Sequence, residues 1–221
     1  MWQTLKDLGI DENTIIVFSS DHGDLLGAHG AWNKQQPYEE SIRVPFLIHY
    51  PKVLGNSAKA LPTLLNSPDI MPTLLGLSGI EIPNSVEGID FSGVIKGTKK
   101  DKVKQTLISC YQPFGQWDRK KGGKEYRGIV TNRYTYTRDL NGPWLLFDNL
   151  KDPYQLNNLI GKSDYSSVQS RLNNDLNKEL KKRKDDFLPG MEYVNKWNYV
   201  VDDTETVPYL KINYEGKPIV E

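Results

Sequence analysis

The feature that most constrains this chain is an apolar, β-branched run, Thr14-Ile15-Ile16-Val17-Phe18-Ser19, which stops abruptly at Ser20-Asp21-His22-Gly23. Such a run bounded by turn residues predicts a buried strand over 14–19. The strand delivers a carboxylate and an imidazole, both metal-capable, where the chain leaves its sheet. In open α/β sheets ligands gather at that edge. Gly23 is expected to let the backbone turn sharply just after them. A polar, glycine-rich loop over 24–38 carries one lysine, Lys34, and is long enough to suggest function rather than mere connection. Residues 42–50 predict a second strand, with Pro45 confined to its start or to a sheet edge.

Length and charge narrow the options. The chain has 221 residues, enough for one substantial core or a core with a small subdomain. Its 28 basic and 28 acidic residues balance, which gives no support to a nucleic-acid groove or an attachment to an acidic membrane surface. No run approaches the ~20 apolar residues of a membrane span. A single cysteine, Cys110, excludes an internal disulfide framework. Residues 1–9 read as a short amphipathic helix ending at Gly9, with Trp2, Leu5 and Leu8 on one face, and not as a secretory signal.

The run from 15 to 51 resembles the sulfatase family of the alkaline-phosphatase-like superfamily. In that family a strand ends in Ser-Asp-His-Gly or Ser-Asp-Asn-Gly. A Gly-x-His-Gly-x-Trp-x-Lys loop follows, then Tyr-Glu-x-x-x-Arg-Val-Pro leading into another strand. The matching residues are 20–23, 27–34 and 38–45. Two later stretches match as well. Asp69-Ile70-Met71-Pro72-Thr73-Leu74-Leu75 resembles a family helix. Residues 147–159 resemble its Leu-Tyr-Asp-Leu-x-x-Asp-Pro-x-Glu-x-x-Asn-Leu run, with Gln155 in place of the usual glutamate.

The resemblance covers nearly all of this sequence but only the later part of the family pattern. It implies that Asp21 and His22 are one of two pairs of ligands to a divalent metal. Calcium is the family's usual ion, with manganese or magnesium as alternatives, and an imidazole at His22 suits manganese, iron or zinc better than calcium does. It implies that Lys34 contacts both the sulfate and the leaving-group oxygen, as charge stabiliser or general acid. His29 takes the Gly-x-His-Gly position, expected to support the loop through backbone hydrogen bonds. His49 is expected to be a satisfied core or supporting histidine. Glu39 or Glu40 is expected to pair with Arg43. The family's nucleophile is a Cys or Ser in Cys/Ser-x-Pro/Ala-x-Arg, converted to formylglycine. Cys110 sits in Ser-Cys-Tyr-Gln-Pro and does not fit, so the nucleophile is expected in a preceding N-terminal part and the chain alone is not expected to turn over substrate.

The rest of the chain sets further expectations. Ser67 is expected to cap a helix with Pro68 at its first position, ending near Gly79. Strands are expected over 106–111, 126–131, 134–137 and 144–147, separated by turn residues, as a small antiparallel sheet. Residues 163–187 predict a long helix with Val168, Leu172, Leu176 and Leu180 along one stripe. Its basic end, Lys181-Lys182-Arg183-Lys184, suits a helix dipole. A loop with Trp117, Arg119, Lys120, Lys121, Lys124 and Arg127 is a candidate grip for a sulfated glycan, and the tail from Pro189 is expected to drape over the surface.

The fold class is therefore α/β: part of an alkaline-phosphatase-like mixed sheet with flanking helices over 1–103, then a small antiparallel-sheet subdomain with a long helix and tail over 104–221. By resemblance the intact protein hydrolyses sulfate esters, with sulfated small molecules or glycans, and the missing N-terminal half, as expected partners. The alternatives are a phosphonate or phosphodiester hydrolase of the same superfamily, or a non-catalytic truncated module. Full-length relatives are often exported, and location follows the start of the whole protein.

Overall fold

A computed structural model describes residues 1–117 and 119–206. In chain order its elements are α1 (Trp2–Asp7), β1 (Ile16–Ser19), α2 (Glu39–Ile42), β2 (Phe46–His49), α3 (Pro51–Leu54), α4 (Ser67–Ser78), α5 (Ser92–Ile95), β3 (Gln105–Cys110), β4 (Tyr126–Thr131), β5 (Tyr134–Asp139), β6 (Gly142–Asp148), α6 (Ser166–Arg183) and α7 (Gly190–Lys196). The chain divides into two compact units. One is Met1–His22 with Val44–Thr106; the other is Gly23–Arg43 with the chain from Leu107 onward. Among the described residues no helix is long and apolar enough to cross a membrane.

In the first unit β1 and β2 form a two-stranded antiparallel ribbon, with Ile16 opposite His49 and Ser19 opposite Phe46. The expected buried strand is therefore only half-buried. Phe18 and Leu47, directly opposite each other, are 61% and 62% exposed. Composition specified a strand, but burial depends on what covers the sheet, and two strands cannot cover both faces of each other. Pro45 lies just before β2, where its missing N–H costs no ladder bond. The expected strand start at Ile42 is instead the end of the helical turn α2. None of the α1 residues is buried, although Trp2 meets His49 at a tilt of 44° with ring centroids 4.6 Å apart. His49 is thus packed against a ring at half-burial rather than sunk in a core.

Helix α4 is built by its ends. Asn66, one residue before the expected Ser67, is the N-cap, and Asp69 completes a capping box by accepting from the Asn66 N–H at 2.9 Å. Gly79 closes the helix in the left-handed conformation at φ 70°. Pro72 lies inside the helix and cannot donate to the carbonyl of Pro68. Gly88 approaches that carbonyl so closely that a Cβ there would lie 1.9 Å from its oxygen. The other Asp69 oxygen accepts from Ile89 N–H at 2.8 Å, and the fully buried Thr73 hydroxyl accepts from Phe91 N–H at 3.0 Å. The 88–91 segment is thus fastened to α4 by buried polar groups that all have partners.

The second unit follows the expected pattern closely. Strands β3, β4, β5 and β6 form an antiparallel sheet in that order, and α6 packs on β4 and β5. Leu172, Leu176 and Leu180 of α6 are buried against Ile129, Tyr136 and Leu146 of the sheet. Truncating one of those leucines to alanine costs about 2–5 kcal/mol. Three basic residues, Lys181, Lys182 and Arg183, occupy the last turn of α6, where the helix dipole favours them. The first part of the tail is an ordered helix, α7, with Tyr193 and Val194 buried, rather than a surface drape. The expectation for the tail beyond Thr206 lies outside the described residues.

Candidate functional site

Asp21 and His22 leave the end of β1 in the first unit. The His22 backbone N–H donates to Asp21 Oδ1 at 3.0 Å, and His22 Nε2 lies 3.4 Å from Asp21 Oδ2. The Ser20 hydroxyl donates to the His22 carbonyl at 2.8 Å, which pins the turn between them. The two side chains therefore face each other, with Asp21 82% exposed. As a donor set, one carboxylate and one imidazole fit a divalent cation but fill only part of its shell, since zinc takes about four ligands and calcium about six to eight. Among the described residues no group of three or more His, Cys, Asp or Glu side chains gathers as a metal site.

Lys34 belongs to the second unit, on a loop held by many small ties. The Asp24 carboxylate accepts from Leu26 N–H at 2.9 Å and from Asn33 N–H at 3.0 Å. Leu25 N–H donates to Asn33 carbonyl at 2.8 Å, closing the loop on itself. Asn33 and Gln35, on either side of Lys34, both adopt positive φ, at 67° and 78°. The Gln35 side chain makes a two-way clamp with the Phe114 backbone, donating to its carbonyl and accepting from its N–H, each at 3.2 Å. Trp117 Nε1 donates to the Trp32 carbonyl at 2.9 Å. Lys34 itself is half-buried and has no hydrogen-bond or ion-pair partner among the described residues.

The next segment, 38–43, is positioned by stacking and by one amide. His29 stacks on Tyr38, with ring centroids 3.7 Å apart and planes 9° from parallel. Its Nε2 lies 3.4 Å from Glu40 Oε2, yet both atoms are buried without a hydrogen bond. The expected backbone bond from His29 is not formed, because stacking fixes the ring in a different direction. Arg43 pairs with Glu39 at 3.3 Å, while Glu40 turns to His29. Gln155, 2% exposed, accepts from Glu39 N–H at 2.9 Å and donates to Asn149 Oδ1 at 3.0 Å. A carboxylate can accept but not donate, so this bridge uses both halves of the amide. Gly23 has no positive φ. It is needed because a Cβ there would lie 1.9 Å from the Glu40 carbonyl oxygen, so close approach rather than a sharp turn explains it.

The basic loop is not an open grip. Arg127 is fully buried; its Nε donates to Asp185 Oδ2 at 2.6 Å, and its guanidinium lies 3.6 Å from the Tyr111 ring centroid. Arg119 is held by Glu125 and Glu205. Lys124 pairs with Asp139 at 2.7 Å and caps the Trp144 ring, and Lys121 donates to the Gly115 carbonyl at 3.1 Å. Arg119, Lys121, Lys124 and Arg127 thus each have an acidic or carbonyl partner, which composition alone does not reveal, while Lys120 is exposed. Cys110 is half-buried in β3, and burial, with Glu125 nearby, pushes its thiol up to about 11, leaving it protonated near neutrality. Gln155 is the functional support that sequence reasoning noticed without assigning; its departure from the expected glutamate was the available signal.

A mixed α/β chain with small antiparallel sheets and a long helix is the architecture of the C-terminal portions of sulfatases. A solved structure of a protein in complex with its substrate D-glucosamine-2-N,6-O-disulfate superimposes with a TM-score of 0.72 at 31% identity, over 83% of this chain and 37% of that one. The family model for "N-sulphoglucosamine sulphohydrolase, C-terminal" matches residues 27–182. The chain belongs to the sulfatase family, in the C-terminal region of its pattern. It is 42% identical over 220 residues to an ulvan-active sulfatase of Formosa agariphila, covering 97% of this chain and 42% of that protein. It is 38% identical over 172 residues to an endo-4-O-sulfatase of Bacteroides thetaiotaomicron, covering 71% and 33% respectively. The chain thus spans well under half the length of the curated relatives it matches.

Proposed function

We propose that this chain is the C-terminal share of a sulfatase that hydrolyses sulfate esters of carbohydrates. In this reading β1 and β2 complete the mixed sheet of an α/β catalytic domain. Asp21 and His22 supply two ligands to a divalent cation, calcium or manganese, and Lys34 contacts the ester. A cation so held would neutralise charge on the sulfuryl oxygens. Ester cleavage breaks the S–O bond and leaves negative charge on the departing oxygen. The Lys34 ammonium stabilises that charge and can supply the proton. The formylglycine nucleophile comes from a part of the protein outside this sequence, since Cys110 in Ser-Cys-Tyr-Gln-Pro does not fit the motif. The observation that carries the reading is the arrangement of a facing carboxylate and imidazole at a strand end, followed by a loop whose ties leave one ammonium without a partner among the described residues.

The test is a chimera in which this chain replaces its aligned segment in the ulvan-active sulfatase, matured to carry formylglycine. It should release sulfate from ulvan oligosaccharides. Lys34→Ala should cut kcat by about two orders of magnitude or more, the scale of losing general-acid assistance. Asp21→Ala should lower metal content by elemental analysis. A folded chimera whose rate is indifferent to Lys34→Ala would overturn the assignment.

A further inference from the structure

The second unit contains a cavity of about 620 Å³ at some distance along the chain from any residue assigned above except Gln35, the neighbour of Lys34. That volume falls within the roughly 300–1,000 Å³ common for ligand sites. Its wall is aromatic and continuous. Tyr111 meets Tyr193 edge-on at 5.3 Å, Tyr193 lies 5.4 Å from Trp197, and Trp197 meets Tyr199 at 6.4 Å. Trp197 is nonetheless 53% exposed and Tyr199 40% exposed, so aromatic faces remain open on a concave surface. A large apolar face left open in a cleft marks a binding site more often than a packing defect.

The polar atoms of the cavity are as informative as its rings. Tyr126 lines it at 4% exposure, and its phenol makes no hydrogen bond among the described residues. That hydroxyl is not buried away from the cavity, so it can bond an incoming group without first giving up a protein partner. The Ser109 hydroxyl also lines the cavity without a partner among the described residues. Glu205 Oε2 is taken by Gln112 and Arg119, which leaves its second oxygen for an incoming donor. Glu205 is the one charged residue in the lining among the described residues, which include no Lys, Arg or His there. An anion would therefore meet the Glu205 carboxylate, and the one guanidinium beside it, Arg119, is already shared between Glu205 and Glu125. A group offering hydroxyls on its rim and C–H bonds on its face meets what it needs.

We infer that this cavity is a subsite for an uncharged sugar ring, which stacks on Trp197 and hydrogen-bonds to Tyr126, Ser109 and Glu205. The inference rests on the carbohydrate reading of the proposed function and adds to it: the cavity takes a neutral ring of a glycan and rejects the sulfated one. A sugar's C–H faces match an aromatic plane, and its hydroxyls both donate to a carboxylate and accept from a phenol.

The full chain should be titrated with desulfated ulvan oligosaccharides and with neutral xylo-, manno-, gluco- and galacto-oligosaccharides, by calorimetry and tryptophan fluorescence. At least one should bind, and Trp197→Ala should weaken it at least tenfold. Tyr126→Phe should weaken it several-fold without changing the thermal melt. Inorganic sulfate and D-glucosamine-2-N,6-O-disulfate should not compete. Lys34→Ala should leave neutral-sugar binding unchanged, which separates failure of this site from failure of the sulfatase assignment. The inference is overturned if no neutral sugar binds, if sulfate competes, if Trp197→Ala binds as tightly as the parent, or if an apolar dye fills the cavity and no sugar displaces it.

Discussion

Replacing Asp185 with asparagine should unfold the second unit more readily than any other single isosteric change in it. Arg127 is fully exposed to protein and to no water: its side chain is 0% accessible and that of Asp185 is 3%. Arg127 NH1 donates to the carbonyls of Cys110 and Tyr126 at 2.9 and 3.0 Å, and its guanidinium is enclosed by the Tyr111 and Phe187 rings. Asp185 also accepts from the Tyr111 and Tyr193 hydroxyls, each at 2.9 Å. Asp185→Asn keeps the shape and removes the charge, leaving the guanidinium buried without its counter-ion. Breaking one side of such a pair costs about 3–5 kcal/mol. A second route gives a similar scale. Burial pushes the Asp185 carboxyl up, but hydrogen bonds from Arg127 and Phe187 N–H, with the Arg127 charge and the Tyr111 hydroxyl, outweigh it and hold the group at about 2, against an ordinary 3.8. At about 1.4 kcal/mol per pH unit, that difference is worth roughly 2 kcal/mol. The folded pKa is the lower one, so this stabilisation is complete above about pH 4 and is lost as pH falls toward 2. Urea titration of the full chain, followed by near-ultraviolet circular dichroism, should show Asp185→Asn destabilised by about 3 kcal/mol at pH 7, with the gap to the parent narrowing toward pH 2. The double variant Arg127→Met/Asp185→Leu should recover part of the loss, because a buried pair replaced by apolar groups leaves no stranded charge. A single variant as stable as the parent, or a double variant worse than the single, would refute the argument.

The chain should self-associate in analytical ultracentrifugation, because the exposed cross-strand pair Phe18 and Leu47 leaves an apolar strand face open, and Phe18→Ser with Leu47→Thr should reduce it; a monomeric parent, or unchanged sedimentation of the variant, would count against that. Gly88→Ala should destabilise the first unit by well over the ~1 kcal/mol of an ordinary glycine substitution, since the new Cβ meets the Pro68 carbonyl, whereas Gly55→Ala, with open space around it, should show only the cost of its positive φ. Calcium or manganese should bind the chain more weakly than micromolar by calorimetry, and Asp21→Ala should abolish what binding there is, because two donors fill only part of a divalent shell; sub-micromolar affinity would contradict this.

Much of the second unit was legible because its signals are local. Alternating aromatic and β-branched residues specify β4, β5 and β6, and a leucine every four residues specifies the buried face of α6. Cap chemistry placed the ends of α4 to within a residue. The losses share one cause: the missing information lies in partners far along the chain. Whether β1 is buried depends on strands beside it, not on Ile16 or Val17. Whether Arg127 reaches solvent depends on Asp185, 58 positions later. Gly23 looks like a turn residue in the sequence, and only the Glu40 carbonyl reveals it as a contact residue. The motif that points to Asp21, His22 and Lys34 names residue types in order, while the loop that carries Lys34 is supported by Phe114, Trp117 and Gln155, which the motif does not contain.

That division of labour bears on how a lysine is aimed. A long flexible side chain needs a rigid base if its ammonium is to meet an ester at a fixed point. The segment Gly23–Arg43 lies, by its packing, with the chain from Leu107 onward rather than with the strands that flank it in sequence. Its ties there are almost all neutral: an amide clamp from Gln35 to Phe114, an indole to a carbonyl, and the Gln155 amide on Glu39. Neutral ties add no further charge to the Asp24 carboxylate that already braces the loop, as a site proposed to handle anions would require. The same logic explains an amide at 155. A carboxylate there would still accept from Glu39 N–H, but it would face Asn149 Oδ1 as a second acceptor, and the asparagine would have to turn and give up its 2.9 Å bond to Thr135. The amide keeps all three groups satisfied in a place that water does not reach, and so holds the segment beyond Lys34 without adding a charge to its surroundings.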